Sequence, residues 1–167
     1  MAEASRPKAV KAGIGIRLLA SGYDGLILIG LLFLAFIPVT LAEQSLGPIE
    51  QWIKGLLITT IAYAYFVGFW VKGGATTGMR PWKLQVAMNN TGDPLTLLAG
   101  TARFAGLMLT WVAFGMTLMY MMHRDTGHLL FFISALLPAF SLLAMLMTRE
   151  RQSLHDLISG TAIYRLQ

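Results

Sequence analysis

Asp24 lies within a hydrophobic stretch, Ile14 to Pro38, that also carries Arg17, and no charge follows it from Gly25 to Ala42. An ionisable side chain at membrane depth costs roughly 2.5–3.5 kcal/mol on insertion scales, so it rarely faces lipid and marks either a buried pair or an ion path. Arg17 and Asp24 are seven positions apart. On a helix they share a face but stand ~10.5 Å apart along the axis, too far to pair with each other. Each therefore needs a partner from elsewhere. Arg103 interrupts the first third of another apolar run. Counted from the same side of the membrane, Asp24 and Arg103 both fall ~12 Å deep, and the spacing predicts that they pair. Such a pair either fixes helix register or holds a titratable carboxylate in a cation or proton path, with the arginine setting its pKa. Arg17, nearer the membrane surface, is expected to meet Asp156 in the C-terminal tail. Beside it, His155 titrates near neutrality and could relay a proton, although a single interfacial histidine is more often simply solvated.

Other chemistries find no support. The chain has no cysteine, which removes disulfides, zinc-thiolate sites and cysteine nucleophiles. Gly73 to Arg80 has the glycine spacing of a phosphate loop, but Met79-Arg80 stands where Lys and Ser/Thr would be needed. That segment reads instead as a flexible turn at headgroup level, where Arg80 and Lys83 meet anionic lipid. Met116, Met119, Met121 and Met122 with His123 and His128 are soft ligands of the kind that hold Cu(I). No second methionine motif faces them at matching depth, so they read as packing residues and no metal or other cofactor is expected. No nucleophile–base pair or metal-spaced carboxylates appear, so the chain is not expected to be an enzyme.

The elements that must position these residues are legible in the composition. Of 167 residues, 56% are hydrophobic and 13% charged, against about 25% charged in soluble domains, which points to a single membrane domain. Spans are expected at about 16–39, 52–71, 95–122 and 129–147. Small residues at Ser21/Gly25 and Ala102/Gly106 are expected to let the first and third spans pack closely. Pro138 should kink the fourth. Residues 1–13 read as a basic, poorly ordered lead. Lys83–Met88 and Thr161–Leu166 alternate polar and apolar residues and are expected to pair as antiparallel strands. Arg149 to Gly160 reads as a short interfacial helix. Eleven of the thirteen Lys and Arg fall in the segments on one side of this arrangement and two on the other, which predicts that both termini are cytoplasmic. The +5 formal charge is thereby explained by topology, and no nucleic-acid partner is expected.

Arg17 and Asp24, then Gly74-Ala75-Thr76-Thr77-Gly78-Met79-Arg80, then Arg151-Gln152-Ser153-Leu154-His155-Asp156 with Gly160-Thr161, resemble the RDD family. These are small multi-pass membrane proteins named for one arginine and two aspartates. The resemblance covers nearly the whole chain, and the closing Arg-Gln-x-Leu-His-Asp-x4-Thr pattern is its most specific part. It implies that Arg17, Asp24 and Asp156 are the signature residues. Pro81-Trp82 departs from the aliphatic residues usual after Arg80. Cation or proton exchange has been proposed for some members.

The expected molecule is an all-α membrane protein with four transmembrane helices, both termini cytoplasmic, and a small cytoplasmic cap made of a strand pair and an interfacial helix. Its expected place is the bacterial inner membrane. The expected function is transport-type, cation/proton exchange or small-solute movement, with Asp24 as the carboxylate in play. Expected partners are membrane lipid, protons or monovalent cations, and further copies of the chain or a larger membrane complex. The alternative is a non-transporting accessory subunit bound to another membrane protein.

Overall fold

The computed structural model describes residues 9–124 and 126–167. Four helices are long and apolar enough to cross a membrane: α1 (Ile14–Leu46), α2 (Gln51–Gly73), α3 (Leu97–Met122) and α4 (Leu129–Met147). They carry many of their large apolar side chains outward, as helices solvated by lipid do, while Tyr65, Phe66, Trp70 and Phe104 of α2 and α3 form the core. α4 keeps its expected bounds, while α1 continues through Pro38 for seven residues past the expected end. At 33 residues α1 is ~50 Å long, well beyond a hydrocarbon core of ~30 Å.

The ends of the bundle differ in construction. One end is a pair of tight connections, closed at α1–α2 by a Lys54–Glu43 ion pair at 2.6 Å. The other carries the cap: strands β1 (Ala9–Lys11), β2 (Leu84–Met88) and β3 (Thr161–Leu166), with the short helix α5 (Leu154–Ser159). The sheet order is β1-β3-β2, antiparallel throughout. β2 and β3 pair as expected, Leu84 opposite Arg165 and Met88 opposite Thr161. The third strand corrects the reading of the lead as poorly ordered, at least from Ala9 onward: β3 would otherwise present a bare edge, and β1 covers it. The rest of that lead, with Arg6 and Lys8, lies outside the described residues. Pairing of β1 with β3 places the two ends of the described chain at the same end of the bundle.

α3 packs against α4, α5 and α2, and α1 packs mainly against α2. The expected close approach of α1 and α3 at their small residues is not what those residues do. A Cβ on Gly25 would meet nothing within 4 Å, whereas one on Gly106 would lie 3.0 Å from the Cβ of His155. The notch at Gly106 therefore seats α5, not α1. Gly100 plays the equivalent part toward Val67 and Val71 of α2, at 3.3 and 3.2 Å.

The loop from Gly74 to Lys83 is not a loose surface turn either. Thr76, Gly78 and Met79 are buried, and a 3-10 turn at Arg80–Trp82, opened by Pro81, delivers the chain to β2. Gly74 at φ +65° turns the chain out of α2, its N–H returning to the Trp70 carbonyl at 3.0 Å.

Candidate functional site

Two polar clusters occupy the cap end of the bundle, and each is built around one aspartate. The first centres on Asp156. α5 begins at Ser153, whose N–H donates to Asp156 Oδ2 at 2.8 Å and whose Oγ donates to the same oxygen at 2.6 Å. That local arrangement fixes the carboxylate before any distant residue reaches it. Arg17 from α1 then donates through Nη2 to Oδ2, and Arg103 from α3 donates through Nη1 to Oδ1. The three ionised side chains are 4%, 2% and 0% exposed for Arg17, Arg103 and Asp156.

The rest of the closing sequence pattern serves this triad. The Arg151 carbonyl accepts from Arg17 Nη1. Gln152 Nε2 donates to the Thr161 carbonyl at 2.7 Å, which ties the entry of α5 to the start of β3. Thr161 Oγ1 accepts from Arg103 Nη1 at 2.5 Å and lies 2.8 Å from Ser159 Oγ. His155 Nε2 is 2.9 Å from Ser153 Oγ. Because that hydroxyl gives its proton to Asp156, the histidine donates here and its Nδ1 keeps a lone pair. Burial, with Arg103 and Arg17 nearby, pushes His155 down to about 3 against the pull of Asp156, so the imidazole is neutral. Burial alone would raise the Asp156 carboxyl, but Arg103 and Arg17, helped by Ser153, hold it well below the usual carboxylate range.

The second cluster centres on Asp24, which is buried and makes no pair with Arg103. Its Oδ1 accepts from the Tyr65 hydroxyl at 2.6 Å and from the Gly78 N–H at 2.9 Å, and its Oδ2 from Thr76 Oγ1 at 2.5 Å. Neutral donors from α2 and from the loop thus satisfy this carboxylate. Asp24 lies ten residues into α1 and Arg103 six into α3, ~15 and ~9 Å along their helices rather than the equal depths assumed. Arg103 instead turns toward the cap, its Cζ 4.8 Å from the Trp70 ring centroid.

The two clusters share one cavity of about 80 Å³, lined among others by Arg17, Asp24, Trp70, Arg103, Trp111 and His155. So the structure brings Arg17, Asp24, Arg103 and His155 to one space and joins Asp156 to it through both arginines. Arg80 and Lys83 stand apart on the surface, Arg80 with its Cζ 5.6 Å from the Phe69 centroid. Among the described residues no group of His, Cys, Asp or Glu could hold a metal ion.

Sequence reasoning missed Tyr65, Thr76, Gly78 and Thr161 as partners. The available signals were a tyrosine in mid-span, which must hide its hydroxyl, and a Thr-Thr-Gly run within an otherwise basic loop.

Neither curated proteins nor solved structures give a match to this chain. The RDD family pattern matches residues 11–160, which takes in Arg17, Asp24, Arg103, His155 and Asp156 and stops one residue short of Thr161, and the chain belongs to the RDD family.

Proposed function

We propose that this multi-pass membrane protein is a transporter of small solutes, exchanging a cation or proton through the polar cavity, with Asp24 as the working carboxylate. The observation that carries the reading is the position of Asp24 on the wall of that cavity, held by neutral donors and not sealed by an arginine. A carboxylate kept only for structure would be expected to sit within a charge-compensated pair, as Asp156 does. Division of labour follows: the Arg17–Asp156–Arg103 triad fastens the cap to the bundle, and Asp24 meets the proton or cation. The excess of Lys and Arg at the cap end puts both termini in the cytoplasm of a bacterial cell under the same reading.

Reconstitution tests it. Vesicles containing the protein should collapse an imposed pH gradient when a monovalent cation is added, and vesicles with Asp24→Asn should not. Gradient decay at the rate of empty vesicles would remove transport from consideration.

A second reading, an accessory subunit, is favoured by α1. Beyond Asp24 this 33-residue helix has no residue fully buried within the chain, so most of its outer surface is open to lipid or to a neighbouring helix. Stoichiometric co-purification of a second membrane protein, lost when α1 alone is altered, would support that reading over transport.

A further inference from the structure

Donors and acceptors do not balance around the cavity. Asp156 accepts from Arg17, Arg103 and twice from Ser153, and Asp24 accepts three hydrogen bonds, so both carboxylates are nearly saturated. Besides Trp82 Nε1, which lies away from this cavity, three buried donors remain without a partner among the described residues: Arg17 Nε, Arg103 Nε and Trp70 Nε1. All three residues line the same cavity. His155 also lines it, and its buried Nδ1, a lone pair in the tautomer described above, has no partner either. Buried polar groups are rarely left unpaired, because each then carries its full desolvation cost. The site therefore suits a ligand with several acceptor oxygens and one N–H or O–H.

The walls indicate where such a ligand comes from. On the cap side the cavity ends at Met79, Leu84 and Ile163, which are 5%, 2% and 8% exposed. Toward the helices it ends at Leu18 and Trp111, which are 55% and 49% exposed, and at the exposed Ser21. The sheet thus closes it from the water, and the gap between α1 and α3 opens it sideways. In a membrane, that side is the bilayer.

We infer that the cavity receives the headgroup of a bilayer phospholipid through the gap between α1 and α3, with its phosphate among Arg17, Arg103 and Trp70. The headgroup ammonium or hydroxyl supplies the donor for His155 Nδ1, and the acyl chains stay outside along Leu18 and Trp111. The formal charges of Arg17, Arg103, Asp24 and Asp156 cancel, so a phosphate screened by its own ammonium or hydroxyl group fits better than a bare, highly charged anion. This occupancy does not depend on ion transport, and its test contains no flux measurement.

The protein would be purified in mild detergent and its retained lipid counted by native mass spectrometry. Delipidated protein would then be melted with phosphatidylethanolamine, phosphatidylglycerol, phosphatidylcholine or inorganic phosphate. Ser21→Phe plugs the opening from a lipid-facing position without touching a charge, and Trp70→Phe removes one donor while keeping an aromatic ring. The expected result is one retained phospholipid per chain and a higher melting temperature with phosphatidylethanolamine or phosphatidylglycerol. Phosphatidylcholine, which lacks an N–H or O–H, should act more weakly, and inorganic phosphate should have no effect. Occupancy should fall about tenfold in Trp70→Phe, the scale of one hydrogen bond to a charged group, and further in Ser21→Phe. Equal retention by wild type and Ser21→Phe would overturn the inference, and so would stabilisation by inorganic phosphate equal to that by lipid.

Discussion

Asp156 carries two buried arginines on one carboxylate, and this sharing decides which substitutions are coupled. Removing one member of a buried ion pair typically costs ~3–5 kcal/mol because the other charge is left uncompensated. Asp156→Asn should reach that range, since it strands both Arg17 and Arg103. A double-mutant cycle of Asp156→Asn with Arg103→Gln, read by detergent unfolding, should show strong non-additivity. The cycle of Asp24→Asn with Arg103→Gln should be additive within about 0.5 kcal/mol, because the two side chains have separate partners. The sequence already indicated that Arg17 needs Asp156, because both belong near the membrane surface. It could not show that Arg103 needs Asp156 too. One carboxylate per arginine is the simplest pairing, and the second aspartate was satisfied by hydroxyl and amide donors that carry no charge to count.

His155 gives the same centre a pH dependence. Its ordinary value near 6.5 applies in the unfolded chain, and burial holds it at about 3 in the fold, facing Asp156 from its own helix, Arg103 from α3 and Arg17 from α1. The unfolded chain therefore binds the extra proton first. Stability is complete above about pH 6.5 and declines as pH falls toward 3, by at most about 1.4 kcal/mol per pH unit for one proton. Asp156, held below its ordinary range, acts in the same direction but only below its unfolded value of 3.8. Melting temperatures of wild type and His155→Gln should thus diverge in slope between pH 6.5 and 4.5, with the variant flatter. Parallel slopes would place the histidine in contact with solvent.

At the scale of elements, two glycines set how closely the cap sits on the bundle. A Cβ at Gly78 would lie 2.6 Å from the Ala20 carbonyl oxygen and 2.7 Å from Asp24 Oδ1. Neither backbone nor a triply bonded carboxylate can move aside cheaply, so Gly78→Ala should force the loop off α1 and destabilise by the ~1–3 kcal/mol typical of overpacking. Gly106→Ala, at 3.0 Å from the His155 Cβ, should cost less, because α5 can shift a few tenths of an ångström. Equal melting points for the two variants would contradict this ranking. The spans, α5 and the β2–β3 pair were legible because each repeats its pattern over enough residues to be seen. β1 was not: Ala9-Val10-Lys11 is three residues long, and only the free edge of β3 gives it a reason to be a strand. The seating of α5 at Gly106 was equally hidden, since a small residue in a span shows that something approaches closely but not which element it is.

For the whole molecule, the four helices hold the cap and both ends of the described chain at one end, and the proposed reading puts that end, where Lys and Arg are in excess, in the cytoplasm. A reporter fused after Gln167 should therefore be active inside the cell and one inserted at Gly47 outside. The central claim is narrower: the cavity beside Asp24 is a working site, and Asp24 is the carboxylate that works in it. The direct test is cation-driven pH relaxation in vesicles reconstituted with equal amounts of folded wild-type, Asp24→Asn and Tyr65→Phe protein. The account predicts relaxation with wild type, none with Asp24→Asn, and slower relaxation with Tyr65→Phe, which removes one of the three hydrogen bonds that position the carboxylate and leaves its charge. Relaxation by Asp24→Asn at the wild-type rate would contradict it.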